Sequence, residues 1–183
     1  MHQVLRRTIK NTIMKTREYL VKGLDNIFID TEIWTYSFKT PLKDNYQDEA
    51  SFHADFSMHE RALLFFKTLA GTVNYYLTTH QLCELYHVLR FRGAKMEPIQ
   101  AKKIVQSISD SKNATIINVT AEHVTRSIEL SVKSNIHVWD FICVVPLLGQ
   151  IVKIYTTDQH FNHATFQELG VEIENPLGTW ESL

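Results

Sequence analysis

Residues 27–34 read IFIDTEIW, an apolar run that ends in a carboxylate, Asp30, and gives way at once to Thr31 and Glu32. A short run of Ile and Phe without alternation is the pattern of a strand buried on both faces of a parallel sheet. An ionised carboxylate left unpaired in such surroundings is costly, so Asp30 has to be paired, exposed at the strand end, or bound to a cation. Read alone, the stretch makes Asp30 the cap of a helix starting near Glu32, because Asp is among the best residues for satisfying the free N–H groups there. The balance between cap and ligand turns on whether other carboxylates reach the same place.

Outward from this strand, short apolar runs alternate with longer segments of helical period, the pattern of a parallel sheet covered by helices. Strands are expected at 26–30, 74–78, 115–119, 153–156 and 171–173, and helices at about 59–69, 80–92, 99–109, 121–134 and 138–148. Several helix starts are marked: Thr79 precedes His80, Pro98 precedes Ile99, and Thr120 precedes Ala121 with Glu122 in the first turn. Residues 39–56, KTPLKDNYQDEASFHADF, show no clear period and read as an exposed loop beside the end of the first strand. Pro146 removes one internal hydrogen bond from the last long helix and predicts a kink or an early end there. Trp34, Tyr36 and Phe38 alternate after the strand and could stack on bases. Trp34 and Phe38, four apart, can equally share a helix face that packs into the core.

At 183 residues the chain suits one domain, able to bury roughly 70% of its unfolded surface without a disulfide or metal staple. Its formal net charge of -1 gives no global attraction to nucleic acid, so any anion site must be local. Residues 1–25 are the one clearly basic segment, with Arg6, Arg7, Lys10, Lys15, Arg17 and Lys22 against Glu18 and Asp25. They read as a solvated extension or an amphipathic helix, set before a single domain over 26–183. Cys83 and Cys143 both lie in apolar segments, where free cysteines behave as small hydrophobes, which suggests a reducing compartment. The start lacks the apolar core of a secretory signal, and no apolar run is long enough to span a bilayer. The reading is a cytoplasmic protein with no membrane partner.

In an open parallel sheet, ligands bind beyond the carboxyl ends of the strands, where acids just after a strand or early in the next helix can meet. Four fit that placement. Asp30 ends the first strand; Glu84 lies about one helical turn after the strand YYLTT; Asp140 opens VWDFICVV; Asp158 follows KIYTT. Glu84 and Asp140 are flanked by core-type residues, yet residues 79–89 and 135–150 contain no Lys or Arg to pair with them. Four close carboxylates repel one another unless a divalent cation holds them together. Oxygen ligands suit Mg²⁺ or Mn²⁺ better than zinc, and such a site is matched to phosphodiesters, with water activated by the metal.

The ordered set FIDTEIW, TTHQLCELYHVL, HVWDFIC and YTTDQHF before a final strand and Asn-Pro resembles the PIN-domain ribonucleases over about residues 26–176, and among these most the VapC toxins of VapBC toxin–antitoxin pairs. The resemblance implies an α/β fold, three-layer α/β/α, with a central, mainly parallel five-stranded sheet. It implies a Mg²⁺- or Mn²⁺-dependent endoribonuclease whose acids match Asp30, Glu84, Asp140 and Asp158. Thr157 matches a position where the family often has a Ser or Thr that orients the site, and Thr31 is a similar candidate. A homodimer and an inhibiting antitoxin protein are implied as partners besides RNA. The basic extension, Pro146 and the 39–56 loop depart from the compact toxins, and a stand-alone PIN nuclease for RNA processing accommodates all three. A PIN fold that holds RNA or a protein without cutting it is the alternative from another class.

Other chemistries find less support. His160 and His163 follow Asp158, but no cysteine pair or third histidine stands at a zinc spacing, so they read as parts of a short loop or helix, with His160 near the phosphate. The nucleophile turn G-x-S-x-G and both phosphate-binding glycine patterns are missing. A phosphatase-like reading of IFIDTEIW wants a second Asp where Glu32 stands.

Overall fold

In a computed structural model the described residues are 23–92 and 95–181. Of the expected helix or extension over residues 1–25, residues 1–22 lie outside the described residues, and Asp25 already belongs to the first strand. Five strands, β1 (Asp25–Ile29), β2 (Val73–Thr78), β3 (Ala114–Ile117), β4 (Lys153–Tyr155) and β5 (Glu172–Glu174), form one sheet in the order β3-β2-β1-β4-β5. All neighbouring pairs are parallel. Every strand lies within one or two residues of its expected position.

The lack of alternation in IFI has a direct structural counterpart. Successive side chains of a strand point to opposite faces. Ile27 and Ile29 pack with Ile33, Trp34, Ala62, Phe65, Leu77 and Leu85 on one face. Phe28 packs on the other with Phe141, Val144, Ile154, Phe161 and Phe166. β1 is thus the central strand between two cores, and the architecture is α/β/α. Trp34 is buried and lies parallel to Phe38 at 6.4 Å between ring centroids, so it packs into the core and is not offered to bases.

The helices are α1 (Thr31–Phe38), α2 (Glu49–Leu69), α3 (Thr79–His87), α4 (Pro98–Ser109), α5 (Ala121–Ser134), α6 (Val138–Val144) and the single turn α7 (Ala164–Gln167). Three expectations need correction. Half of the supposed 39–56 loop is helix, because α2 begins at Glu49. Asp48 caps it, accepting from the Ser51 N–H (2.8 Å) and hydroxyl (2.7 Å), while the exposed first turns dilute the apolar period with His, Ala, Asp and Ser. The expected 80–92 helix is α3 followed by a π-helical turn, Val88–Arg92, and its cap is Thr78, whose hydroxyl accepts from the Gln81 N–H (3.1 Å). Thr79 instead accepts from the Val119 N–H (3.2 Å) and ties α3 to the end of β3. Pro146 does end the expected last long helix early: α6 stops at Val144 and a 3-10 turn, Val145–Leu147, replaces the rest. Of the two free cysteines Cys143 is buried, but Cys83 is exposed and is no core hydrophobe. Among the described residues no helix is long and apolar enough to cross a membrane.

The chain passes from β1 to β2 and β3 on one side, then returns to place β4 and β5 on the other. The order therefore reverses between β1 and β4. At such a switch the connections leave in opposite directions and open a crevice beyond the strand ends.

Candidate active site

Asp30 stands at this reversal. Its backbone N–H donates to the Tyr155 carbonyl (2.8 Å), so the β1–β4 ladder runs into it. One carboxylate oxygen, Oδ1, accepts from the Thr31 N–H (2.7 Å) and caps α1, as the eight residues alone suggested. The other, Oδ2, accepts from the Thr156 hydroxyl (2.6 Å). Thr156 in turn accepts from the Asp158 N–H (3.0 Å), so a single hydroxyl ties the ends of β1 and β4 together. Beneath it the Ile29 carbonyl accepts from Gln81 Nε2 (2.7 Å) and Trp34 Nε1 (3.2 Å), which fixes the strand end that α1 departs from.

The other expected acids converge on the same crevice from three elements. Glu84, on α3, accepts from the Thr31 hydroxyl (2.6 Å) and from the Cys143 thiol (3.7 Å). Asp140 lies in the first turn of α6, and its Oδ2 is buried with no hydrogen-bond partner. Asp158 is buried after β4 and accepts the His160 N–H through Oδ1 (2.8 Å), capping a 3-10 turn, Gln159–Asn162. Its neighbour Thr157 donates to Glu32 Oε2 (2.8 Å). Asp30, Glu32, Asp55, Glu84, Asp140, Asp158 and Glu181 together line a cleft of about 390 Å³, with Lys39 and Arg92 also in its wall.

Four of those seven were expected, and Glu32, Asp55 and Glu181 were not. Glu32 had a signal: it follows Asp30 by two residues in the first turn of a helix at the strand end, a position weighed only for a second Asp. Glu181 had none, because it reaches the cleft through an isolated parallel bridge to Asp158 and accepts a hydrogen bond from the Tyr36 hydroxyl.

The carboxylates are short of positive charge. Among the described residues the Lys and Arg ion pairs go to Asp55, Glu49, Glu168, Glu172 and Glu174, and of these only Asp55 lines the cleft. Burial first, then the Glu84 and Asp140 charges, pushes Asp30 up to about 7, against the pull of its Thr156 hydrogen bond. Asp140 is raised to about 7 by burial and by Asp158 and Glu84. Glu32 is raised to about 8 by burial and by Asp30, with Thr157 opposing. Near neutral pH the cluster therefore retains protons that ordinary carboxylates have lost.

His160 stands beside two of these acids. Its Nδ1 lies 3.5 Å from Asp140 Oδ2 and 3.4 Å from Asp158 Oδ2, and it too is buried without a hydrogen-bond partner. The ligand atoms of Asp140, Asp158 and His160 all fall within 4.8 Å of one another. Two orphaned buried polar atoms facing each other across an acidic cluster are what a divalent cation would satisfy, so the residues fit one.

No family model matches the sequence, and no curated protein does. Solved structures do match in fold. The VapBC2 structure from Rickettsia felis, solved with a DNA fragment from its promoter, aligns with a TM-score of 0.52 at 13% identity, over 82% of this chain and 98% of that one. Mycobacterium tuberculosis VapC20, described as a sarcin-ricin loop cleaving toxin, aligns with a TM-score of 0.51 at 20% identity, over 74% of this chain and 92% of that one. At such identities the likeness is one of fold, and it agrees with the parallel sheet and its reversal point: the chain has the PIN-type α/β/α fold of the VapC proteins.

Proposed function

We propose that the protein is a divalent-metal-dependent endoribonuclease of the VapC toxin kind, hydrolysing RNA phosphodiester bonds in the acidic cleft. The observation that carries this reading is the meeting of Asp30, Glu84, Asp140 and Asp158, drawn from four separate stretches of sequence, at the one place where the strand order reverses. Asp140, Asp158 and His160 hold the metal, Mg²⁺ or Mn²⁺, with Asp30 and Glu84 completing or orienting the set. When bound, a divalent cation supplies Lewis acidity, offsetting charge on the phosphate and the departing oxygen and making water a better nucleophile. Glu84, fixed from two sides by Thr31 and Cys143, is placed to orient that water. Thr157 holds Glu32 at the wall of the cleft and Thr156 holds Asp30. Hydrogen bonds of this outer kind keep reacting groups in place at little cost during reaction.

The sequence resemblance to the VapC toxins carries the remaining expectations: a structured RNA as substrate, an antitoxin protein as inhibitor, a homodimer as the assembled form, and action in the cytoplasm. Residues 26–183 form the nuclease domain and residues 1–25 a basic extension to it. The deciding experiment incubates purified protein with a structured RNA, with and without Mn²⁺, beside an Asp30→Asn variant. Metal-dependent cleavage by the wild type alone supports the reading. Cleavage by both proteins identifies a contaminant, and cleavage by neither leaves a PIN fold that binds without cutting.

A further inference from the structure

The acidic cleft poses an electrostatic problem: a polyanionic strand has to approach seven carboxylates, with only Lys39 and Arg92 as cations in the same wall, on a protein whose formal net charge is -1. Attraction must come from cations placed beside the cleft. A second cavity, of about 810 Å³, adjoins it and shares two of its lining residues, Lys39 and Arg92. Lys95 adds a third cation, Tyr46 and Phe38 add aromatic walls, and Glu97 is the one acid. Lys39 is partly engaged by Asp55 at 3.5 Å. Among the described residues Arg92 and Lys95 make no ion pair with a carboxylate.

The backbone is shaped to put these cations there. Glu84, Val88 and Arg92, four residues apart, all line the acidic cleft. In a regular α-helix such steps drift around the axis, but the turn Val88–Arg92 is π-helical and takes more residues per turn, which keeps Arg92 in line with Glu84. Lys95 stands in the left-handed region at φ 48°, where a non-glycine residue is strained. π turns and strained side-chain-bearing residues both concentrate at functional sites.

We propose that this cavity is a subsite for the single-stranded RNA segment adjoining the scissile phosphate, with Arg92 and Lys95 holding its backbone phosphates and Tyr46 flanking a base. The proposal rests on the nuclease reading for its orientation toward the cleft. Its chemistry is that of single-strand grooves elsewhere, cations that track the backbone interleaved with rings on which bases stack. Arg92 stands where both cavities meet, so it touches the phosphate nearest the cleft, and Lys95 one farther along.

The test measures binding of a fluorescent single-stranded RNA oligonucleotide over a salt series, without divalent metal, for the wild type, Arg92→Ala, Lys95→Ala and a control, Lys112→Ala, which lines neither cavity. Each subsite variant should lose about tenfold in affinity and reduce the slope of log affinity against log salt by about 0.7, while the control is unchanged. Thermal melts identify any variant that fails to fold, and Arg92→Lys, which keeps the charge, should keep the slope. Unchanged slopes in folded Arg92→Ala and Lys95→Ala overturn the proposal. So does a retained RNA slope with lost binding of a polyglutamate peptide, which reassigns the cavity to an acidic protein segment. Reduced slopes with no cleavage by the wild type in Mn²⁺ leave the subsite standing and remove the nuclease reading. Cleavage with unchanged KM and slopes in both variants does the reverse.

Discussion

Thr156 illustrates how much of this site hangs on single atoms. Its hydroxyl donates to Asp30 and accepts from the Asp158 N–H, so Thr156→Val, nearly the same shape, deprives both acids of their link. Loss of such an outer partner typically costs about 10- to 100-fold in metal affinity, which a Mn²⁺ titration of the variant should show. An unaltered titration would mean that Asp30 needs no help from β4. His160 makes a second, independent prediction. If its orphaned Nδ1 is a ligand, electron-spin-echo spectra of the Mn²⁺-loaded protein will carry a nitrogen coupling that His160→Gln removes. A spectrum without nitrogen coupling would restrict the ligands to oxygen. At this scale the sequence was legible where an acid sat beside a strand end or in a charge-free apolar helix, as Asp30, Glu84, Asp140 and Asp158 do. It was silent where partners were made by folding alone. The Thr156 bridge spans 126 positions, and Glu181 comes from the far end of the chain.

Elements were legible in proportion to how far burial imposes a period. β1, enclosed on both faces, announces itself, and α5 begins as expected because Thr120 and His123 form a reciprocal cap, and ends as expected where Asn135 turns left-handed at φ 59°. α2 was half missed because its first turns are largely exposed, so nothing forces apolar residues onto one stripe. The π turn after α3 leaves no mark in the sequence: it exchanges one hydrogen-bond register for another without changing which residues are apolar. α3 matters most to the site, since it carries Glu84 and begins at a cap, Thr78, that is fully buried. Thr78→Ala would leave the Gln81 N–H without its acceptor and should lower unfolding free energy by about 1–2 kcal/mol in a denaturant titration. The metal-dependent rise in melting temperature should persist, because no candidate ligand is removed. Losing both together would show that α3 depends on the site and not the reverse.

At the scale of the whole molecule, the four acids are brought together by topology: the sheet order reverses at β1, so acids far apart in sequence end up facing one crevice. The fold thus concentrates like charge where it cannot be relieved by neighbours, and that has a measurable consequence for stability. Asp30 and Asp140 titrate near 7 and Glu32 near 8 in the folded chain, well above the ordinary carboxylate range that the unfolded chain shows. Over the interval between those two ranges the folded state binds more protons than the unfolded one, so its stability falls as pH rises. The contribution is fully present below about pH 4, where both states are protonated, and is lost as pH passes through about 7 to 8. In chelator, the melting temperature of the protein should therefore decline from about pH 5 to about pH 8. A divalent cation replaces those protons as the neutralising charge, so its stabilising effect should grow over the same interval. A melting temperature that stays level or climbs in chelator would mean that the acids are neutralised by something other than shared protons or a metal, and would remove the electrostatic argument for a cation at this site.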